Sequence, residues 1–266
     1  MTLPNIRVPN IQTYSMLYIV ATPIGNLEDI TLRAINVLSN ADLILAEDTR
    51  VTKVLLDRYN IKTPMTISPD ARPLRGRGPD LKASGHSDFK KIDHIIELLK
   101  DGKNLVLVTD AGTPGINDPG GFLVSESLKA IPDLKIVPIP GPNAAITALS
   151  ISGFPTDEFV FLGFPPHKKG RQTFFKNISE IDTTIVFYES KHRILKALEN
   201  LEKLSGLGDP VKLLNGNHGA GRQMMIAREL TKQFETIYRG TLSEIKLKLT
   251  DKNLLGEFVV VISCSK

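Results

Sequence analysis

The chain has 266 residues, 41% of them apolar, with 33 Lys and Arg against 29 Asp and Glu and a single cysteine. That length calls for two domains of ordinary size with packed cores; one cysteine excludes an internal disulfide and a Cys-rich metal site, and no apolar run reaches membrane-spanning length. The net charge of +4 is a mild basic excess that suits a nucleic-acid partner without demanding one, and Met1–Ser15 lacks the apolar stretch of a signal peptide, so a soluble cytoplasmic protein is expected.

Residues 1–15 read as a tail. Met16–Ala21 is a strand that ends in the turn Thr22-Pro23-Ile24-Gly25-Asn26. A helix carrying Ile30, Ala34, Ile35, Val37 and Leu38 follows, with Asp29 as its cap. Leu43–Ala46 is the second strand. Thr49 is placed to cap the next helix, with Val51, Val54 and Leu55 facing inward. Pro64–Ser84 is a long connection rich in Pro, Gly and Arg, suited to contact with an acidic partner. Ser87 is placed to cap a third helix, with Phe89, Ile92, Ile95, Ile96 and Leu99 on its apolar face. Leu105–Val108 is a short buried strand that gives way to the loop Asp110–Gly120. There Asp118 is the expected N-cap, and Pro119 the first turn, of a helix near Phe122–Leu128. The strand Lys135–Ile139 and the loop Pro140-Gly141-Pro142-Asn143 lead into a helix over Ala144–Ile151.

Phe154-Pro155 breaks this alternation. Beyond it, strands are predicted at Phe159–Gly163, Thr184–Tyr188, Val211–Leu214 and Glu257–Ser263, and helices at Arg171–Ile178, His192–Leu204 and Ser243–Leu249. Cys264 reads as a small filler in the terminal strand. The βαβα order implies a largely parallel sheet in a first α/β domain, 16–153, followed by a second α/β domain, 154–266.

The stretch Leu105–Gly120, LVLVTDAGTPGINDPG, is the most informative. In open α/β sheets, ligands bind outside the carboxyl ends of strands. Gly112 and Gly115 permit close approach to the main chain, while Pro114 and Pro119 stiffen the loop. The loops at 23–26 and 140–143, and Glu47-Asp48-Thr49-Arg50 after the second strand, are expected on the same sheet edge, which together makes a ligand cleft. The spacing from the first loop to Glu47 suits a dinucleotide-binding protein, but the G-x-G-x-x-G fingerprint is missing, as are a phosphate loop and a serine nucleophile elbow. The run Asn215–Gly221 is glycine-rich but follows no phosphate-binding spacing.

The segments Leu17–Leu27 (LYIVATPIGNL), Ala46–Arg50 (AEDTR), Thr109–Gly120, Pro138–Ala145, Phe187–Ser190 (FYES) and Ala227–Lys232 (ARELTK) resemble, together and along almost the whole chain, the small-subunit ribosomal RNA methyltransferase I family of the tetrapyrrole methylase superfamily. The resemblance implies two α/β domains, the first with a largely parallel and the second with a mixed sheet, with a cofactor cleft between them, and a homodimer. It also implies S-adenosylmethionine-dependent 2′-O-methylation of a cytidine in the decoding region of small-subunit (16S) ribosomal RNA. On that footing Asp110, Ala111, Gly112, Thr113 and Pro114, with Pro140, Gly141, Pro142 and Ala145, hold the cofactor, and Pro23 and Gly25 line the same cleft.

Methyl transfer to a hydroxyl requires in-line positioning and a nearby base. Glu47 and Asp48 are the preferred candidates, with Asp110 and Glu189 as alternatives. Phosphate contacts are expected from Arg50, Lys168, Lys169, Arg171, Lys191 and Arg193 on loop rims. None of the five histidines pairs at metal-ligand spacing, so no metal is expected. Two segments depart from the family pattern. Pro64–Ser84 replaces a segment containing His and Asn, with His86 as a remnant, and Leu214–Gln223 is longer and more glycine-rich than usual before an expected strand at Ala227–Lys232. Methylation of a small molecule such as a tetrapyrrole, or non-catalytic RNA binding, are the alternatives that the residues leave open.

Overall fold

The computed structural model describes residues 15–71, 86–204, 222–249 and 254–264. The tail residues 1–14, residues 72–84 of the basic connection, the expected strand Val211–Leu214 and the glycine-rich run at 215–221 lie outside them, as does the side chain of His86.

The described chain divides into two compact units. One takes the residues up to Pro23 and Leu27–Gly141, the other Ile24–Asn26 and the residues from Pro142 on. The first is a five-stranded sheet of β1 (Met16–Val20), β2 (Leu43–Ala46), β3 (Met65–Ile67), β4 (Leu105–Leu107) and β5 (Lys135–Ile139), in the order β3-β2-β4-β1-β5. Every pairing is parallel, and Leu17 of β1, which lies between β4 and β5, lies opposite both Leu105 and Ile136. Parallel strands covered on both faces read as unbroken apolar runs, and β4 is buried throughout. Alternate side chains serve opposite layers. Ile44 and Val106 pack with Leu38 of α1 (Leu32–Asn40) and Leu55 of α2 (Thr49–Arg58). Leu45, Leu105 and Leu107 pack with Ile95 and Leu99 of α3 (His86–Lys100) and Leu123 of α4 (Gly121–Ala130).

Several local expectations are corrected. Asp29 lies in a short 3-10 turn, and Thr31 caps α1 by accepting from the Ala34 amide at 3.0 Å. Asp48 rather than Thr49 caps α2, which sets the buried stripe at Thr52, Leu55 and Leu56 and leaves Val51 and Val54 exposed. Helix α3 starts at His86, so Ser87 lies inside its first turn. Strand β3 was missed because it is a three-residue edge strand with Ile67 exposed, too short to show a period.

The second unit is a mixed sheet of β6 (Phe159–Phe161), β7 (Thr184–Ser190), β8 (Met224–Arg228), β9 (Thr236–Gly240) and β10 (Glu257–Ile262), in the order β6-β7-β10-β8-β9. Only β6 and β7 run parallel. Helices α6 (Arg171–Ser179), α7 (Ile194–Glu202) and α8 (Leu242–Lys248) bury Phe175, Leu198 and Ile245 against one face. The other face is covered by Ala145, Ala148 and Leu149 of α5 (Ala144–Ser152), with Ile24 and Leu230. Helix α5, which the sequence reading keeps with the first domain, thus contributes its buried side chains to the second core. The strand expected at Ala227–Lys232 ends at Arg228, since Glu229 and Thr231 take positive φ of 51° and 65° and turn the chain into β9, which was not expected.

Candidate functional site

In the first unit, the chain leaving β1 runs through α1 to one side of the sheet, whereas the chain leaving the adjacent β4 runs through α4 to β5 on the other. Such a reversal marks the strand ends where ligands bind. Here the loops are joined by hydrogen bonds. The Thr22 amide donates to the Gly112 carbonyl at 2.9 Å, the Gly112 amide donates back at 3.1 Å, and the Thr22 hydroxyl reaches the Thr109 carbonyl at 3.0 Å. The Ala21 amide donates to the Ile139 carbonyl at 3.2 Å. Gly141 presses so close to Ala21 that an added Cβ would stand 3.0 Å from the Ala21 Cβ. Gly112 takes φ 92°, which permits the turn after Asp110. Pro23, Gly112 and Pro114 are buried, while Ala111, Pro140 and Gly141 are exposed.

Three carboxylates meet beside these loops. Glu47 accepts from the Thr109 hydroxyl at 2.6 Å and, more weakly, from the Asp110 amide at 3.4 Å. Asp110 in turn accepts from the Asp48 amide at 3.0 Å. Asp48 caps α2 through the Arg50 amide at 2.9 Å and pairs with the Arg50 guanidinium, which holds its carboxyl down to about 2. Asp110 moves the opposite way. Partial enclosure, followed by the neighbouring Glu47 charge, pushes it up to about 6. One cluster therefore contains a carboxylate committed to its arginine and another poised near neutrality.

Asp70 was missed. Its Oδ2 accepts from the Gly120 amide at 2.7 Å and the Leu123 amide at 3.4 Å, and its Oδ1 accepts from the buried Ser68 hydroxyl at 2.6 Å. It satisfies the start of α4, the task expected of Asp118. Helix α4 begins only after Gly120, whose φ of 131° suits glycine alone, so Asp118 lies too early to cap it. No local pattern signals a cap from fifty residues away.

The remaining candidates lie in the second unit. Gly25 sits against the turn after β8, where a Cβ would meet the Lys232 side chain and stand 3.2 Å from the Leu230 carbonyl. The Ala145 amide donates to its N-cap Asn143 at 3.1 Å and to the Tyr188 hydroxyl at 3.2 Å, and Pro142 lies just before that cap. Lys168, Lys169 and Lys191 are exposed, as is Arg50 in the first unit. Arg171 and Arg193 are not. Their side chains are 7% and 16% exposed, and both pair with Glu189, itself fully buried, at 3.1 and 3.0 Å. Glu189 is thereby committed to two guanidiniums and is not open to a substrate. Among the described residues, no group of three His, Cys, Asp or Glu is arranged to hold a metal, and no helix is long and apolar enough to cross a membrane.

The sequence profile of the tetrapyrrole (corrin/porphyrin) methylases matches residues 16–246, and the chain belongs to that family of methyltransferases. Within it, the chain is 41% identical over 247 residues to a Thermotoga maritima protein named ribosomal RNA small subunit methyltransferase I, covering 93% of this chain and 97% of that one. A Haemophilus influenzae protein of the same name is 42% identical over 250 residues, covering 93% and 78%. Among solved structures, the methyltransferase CobJ superposes with a TM-score of 0.61 at 19% identity, covering 94% of this chain and 95% of that one. The cobalt precorrin-4 methyltransferase CbiF superposes with a TM-score of 0.56 at 16% identity, covering 93% and 94%. At those identities the structures share the fold with this chain.

Proposed function

We propose that this chain is an S-adenosylmethionine-dependent methyltransferase of small-subunit ribosomal RNA, acting in the cytoplasm as a homodimer on the 2′-hydroxyl of a cytidine in the decoding region. The observation that carries the reading is the 41% identity, along nearly the whole of both chains, to a relative of that name. The strand-end site of the first unit fits the cofactor's chemistry. It sets carboxylates suited to ribose hydroxyls and an α-amino group beside loops whose main chain turns at Gly112 and packs closely on Ala21 through Gly141. S-adenosylmethionine, when bound, supplies the methyl group on a positively charged sulfur.

The protein's part is positioning and proton transfer. The hydrogen bonds joining Thr22, Thr109 and Gly112 hold two loops as one rigid wall. The acceptor hydroxyl must lose its proton as it is methylated. Asp48, held down by Arg50, is a weak base, and Glu189 is enclosed by two arginines. We therefore assign the proton to the Glu47–Asp110 pair, in which Asp110 lies near the working pH where general-base catalysis is most effective. The test is transfer of labelled methyl from S-adenosylmethionine to small ribosomal subunits lacking the modification. Label on the 2′-oxygen of one decoding-region cytidine is expected. Cofactor binding with no label in RNA would refute the substrate assignment, and absence of cofactor binding would refute the reading altogether.

A further inference from the structure

The second unit contains an ion network that methyl transfer does not use. Glu189, near the end of β7, is fully buried. Its Oε2 accepts from Arg171 Nη2 at 3.1 Å, and its Oε1 faces Arg193 Nη2 at 3.0 Å and accepts from the Ser190 amide at 2.8 Å. A carboxylate at that depth requires such partners, yet apolar side chains of similar volume would generally stabilise the fold as well. The network therefore serves geometry. Each arginine uses its other terminal nitrogen on one short segment: Arg171 Nη1 donates to the Pro166 carbonyl at 3.3 Å and Arg193 Nη1 to the Pro165 carbonyl at 3.0 Å. The Arg171 guanidinium also lies 5.0 Å from the centre of the Phe175 ring, so its plane is held from a further side.

The segment pinned in this way presents a particular surface. Phe164, immediately before the two prolines, is 46% exposed, and its ring is held by Tyr188 at 5.3 Å between centroids. Lys168 and Lys169, which follow the prolines after His167, are exposed, as is Lys191 between Glu189 and Arg193. None of these three lysines forms an ion pair among the described residues. A fixed, exposed ring beside unpaired ammonium groups is the combination that binds single-stranded nucleic acid: the cations take phosphates and the ring stacks a base.

We propose that Phe164, Lys168, Lys169 and Lys191 form a docking rim for single-stranded RNA, and that Arg171, Glu189 and Arg193 position this rim from beneath without touching the RNA. The proposal rests on the RNA-methyltransferase reading for its choice of RNA. It divides the expected phosphate contacts into those that bind and those that hold.

The test uses the full chain and a labelled single-stranded oligoribonucleotide. Affinity is measured by fluorescence anisotropy over a range of salt concentrations, with S-adenosylmethionine binding measured separately by calorimetry on the same samples. Changing both Lys168 and Lys169 to Ala should make the salt slope shallower by about 1.4, that is about 0.7 per phosphate contact on a single strand, and changing both to Arg should keep it. Phe164→Ala should weaken binding at least about fivefold with the slope unchanged. Glu189→Gln is the discriminating variant. It removes a negative charge, so net charge alone would tighten RNA binding, whereas loss of positioning should weaken it about tenfold and make the slope shallower, with cofactor affinity unchanged. Arg193→Lys keeps the charge but loses the fork, and should act in the same direction if Glu189→Gln fails to fold. RNA binding as tight as the parent's, with the parent's slope, in a folded Glu189 or Arg193 variant overturns the positioning role. Unchanged binding in the lysine and Phe164 variants overturns the rim. Failure of the enzyme reading would appear instead as absent cofactor binding in the calorimeter, leaving the anisotropy result to decide the rim.

Discussion

Replacing Asp110 by Asn should stabilise the protein at neutral pH while disabling it. The Asp110 carboxyl is raised from 3.8 to about 6, by enclosure first and then by Glu47. A shift of about 2 units corresponds to about 3 kcal/mol at 1.36 kcal/mol per unit. Because the residue is surface-accessible, solvent screening reduces the usable part to about 1 kcal/mol. The sign follows from linkage. A carboxyl raised in the folded state binds its proton more tightly there, so it imposes no penalty below pH 3.8, costs stability as the pH climbs from about 4 to 6, and imposes its full penalty above that. Asparagine is neutral throughout and retains an oxygen to accept the Asp48 amide, now held at 3.0 Å. In calorimetric melts at constant ionic strength, D110N should therefore melt about 2 °C higher than the parent at pH 8 and level with it at pH 4. Methyl transfer should fall about 100-fold as the proton acceptor is lost. A destabilised D110N at pH 8, or a gain of equal size at both pH values, would refute the electrostatic account.

Other perturbations test the remaining architecture. Asp70→Ala removes the acceptor from the Gly120 and Leu123 amides and should cost about 1 kcal/mol, read as a lower urea midpoint with an unchanged m-value. Gly25→Ala places a Cβ against Lys232 and the Leu230 carbonyl, and should destabilise by about 1–3 kcal/mol in the same assay. Replacing Arg171, Glu189 and Arg193 together by Met, Leu and Met should leave stability within about 1 kcal/mol of the parent, since the buried charges leave together, whereas Glu189→Gln alone should cost about 3 kcal/mol. A triple variant that fails to fold would mean that the network serves stability after all.

Much of this molecule is legible residue by residue. Alternating apolar runs and helical stripes announce α/β units, and the glycine-bearing ends of β1, β4 and β5 with the acidic end of β2 announce a site, because strand ends and turns are dictated by neighbours a few positions apart. Short edge elements escaped for the same reason: Met65–Ile67 and Thr236–Gly240 carry too little buried period to stand out, and only pairing with β2 and β8 makes them strands.

What the sequence alone determined, then, is the class of fold, the family, and which loops carry polar groups at the ends of buried strands. The roles of individual charges were decided in three dimensions. Asp48 and Asp110 are equivalent as letters, yet Arg50 holds one down while Glu47 and enclosure raise the other. Arg171 and Arg193 look like surface cations until Glu189 is found buried between them. Asp70 becomes the cap of a helix that begins at Gly121. Apart from the local Asp48–Arg50 pair, each is an interaction between residues distant in the chain or set by burial. The energy of a charge depends on what surrounds it in space, and local pattern does not record that.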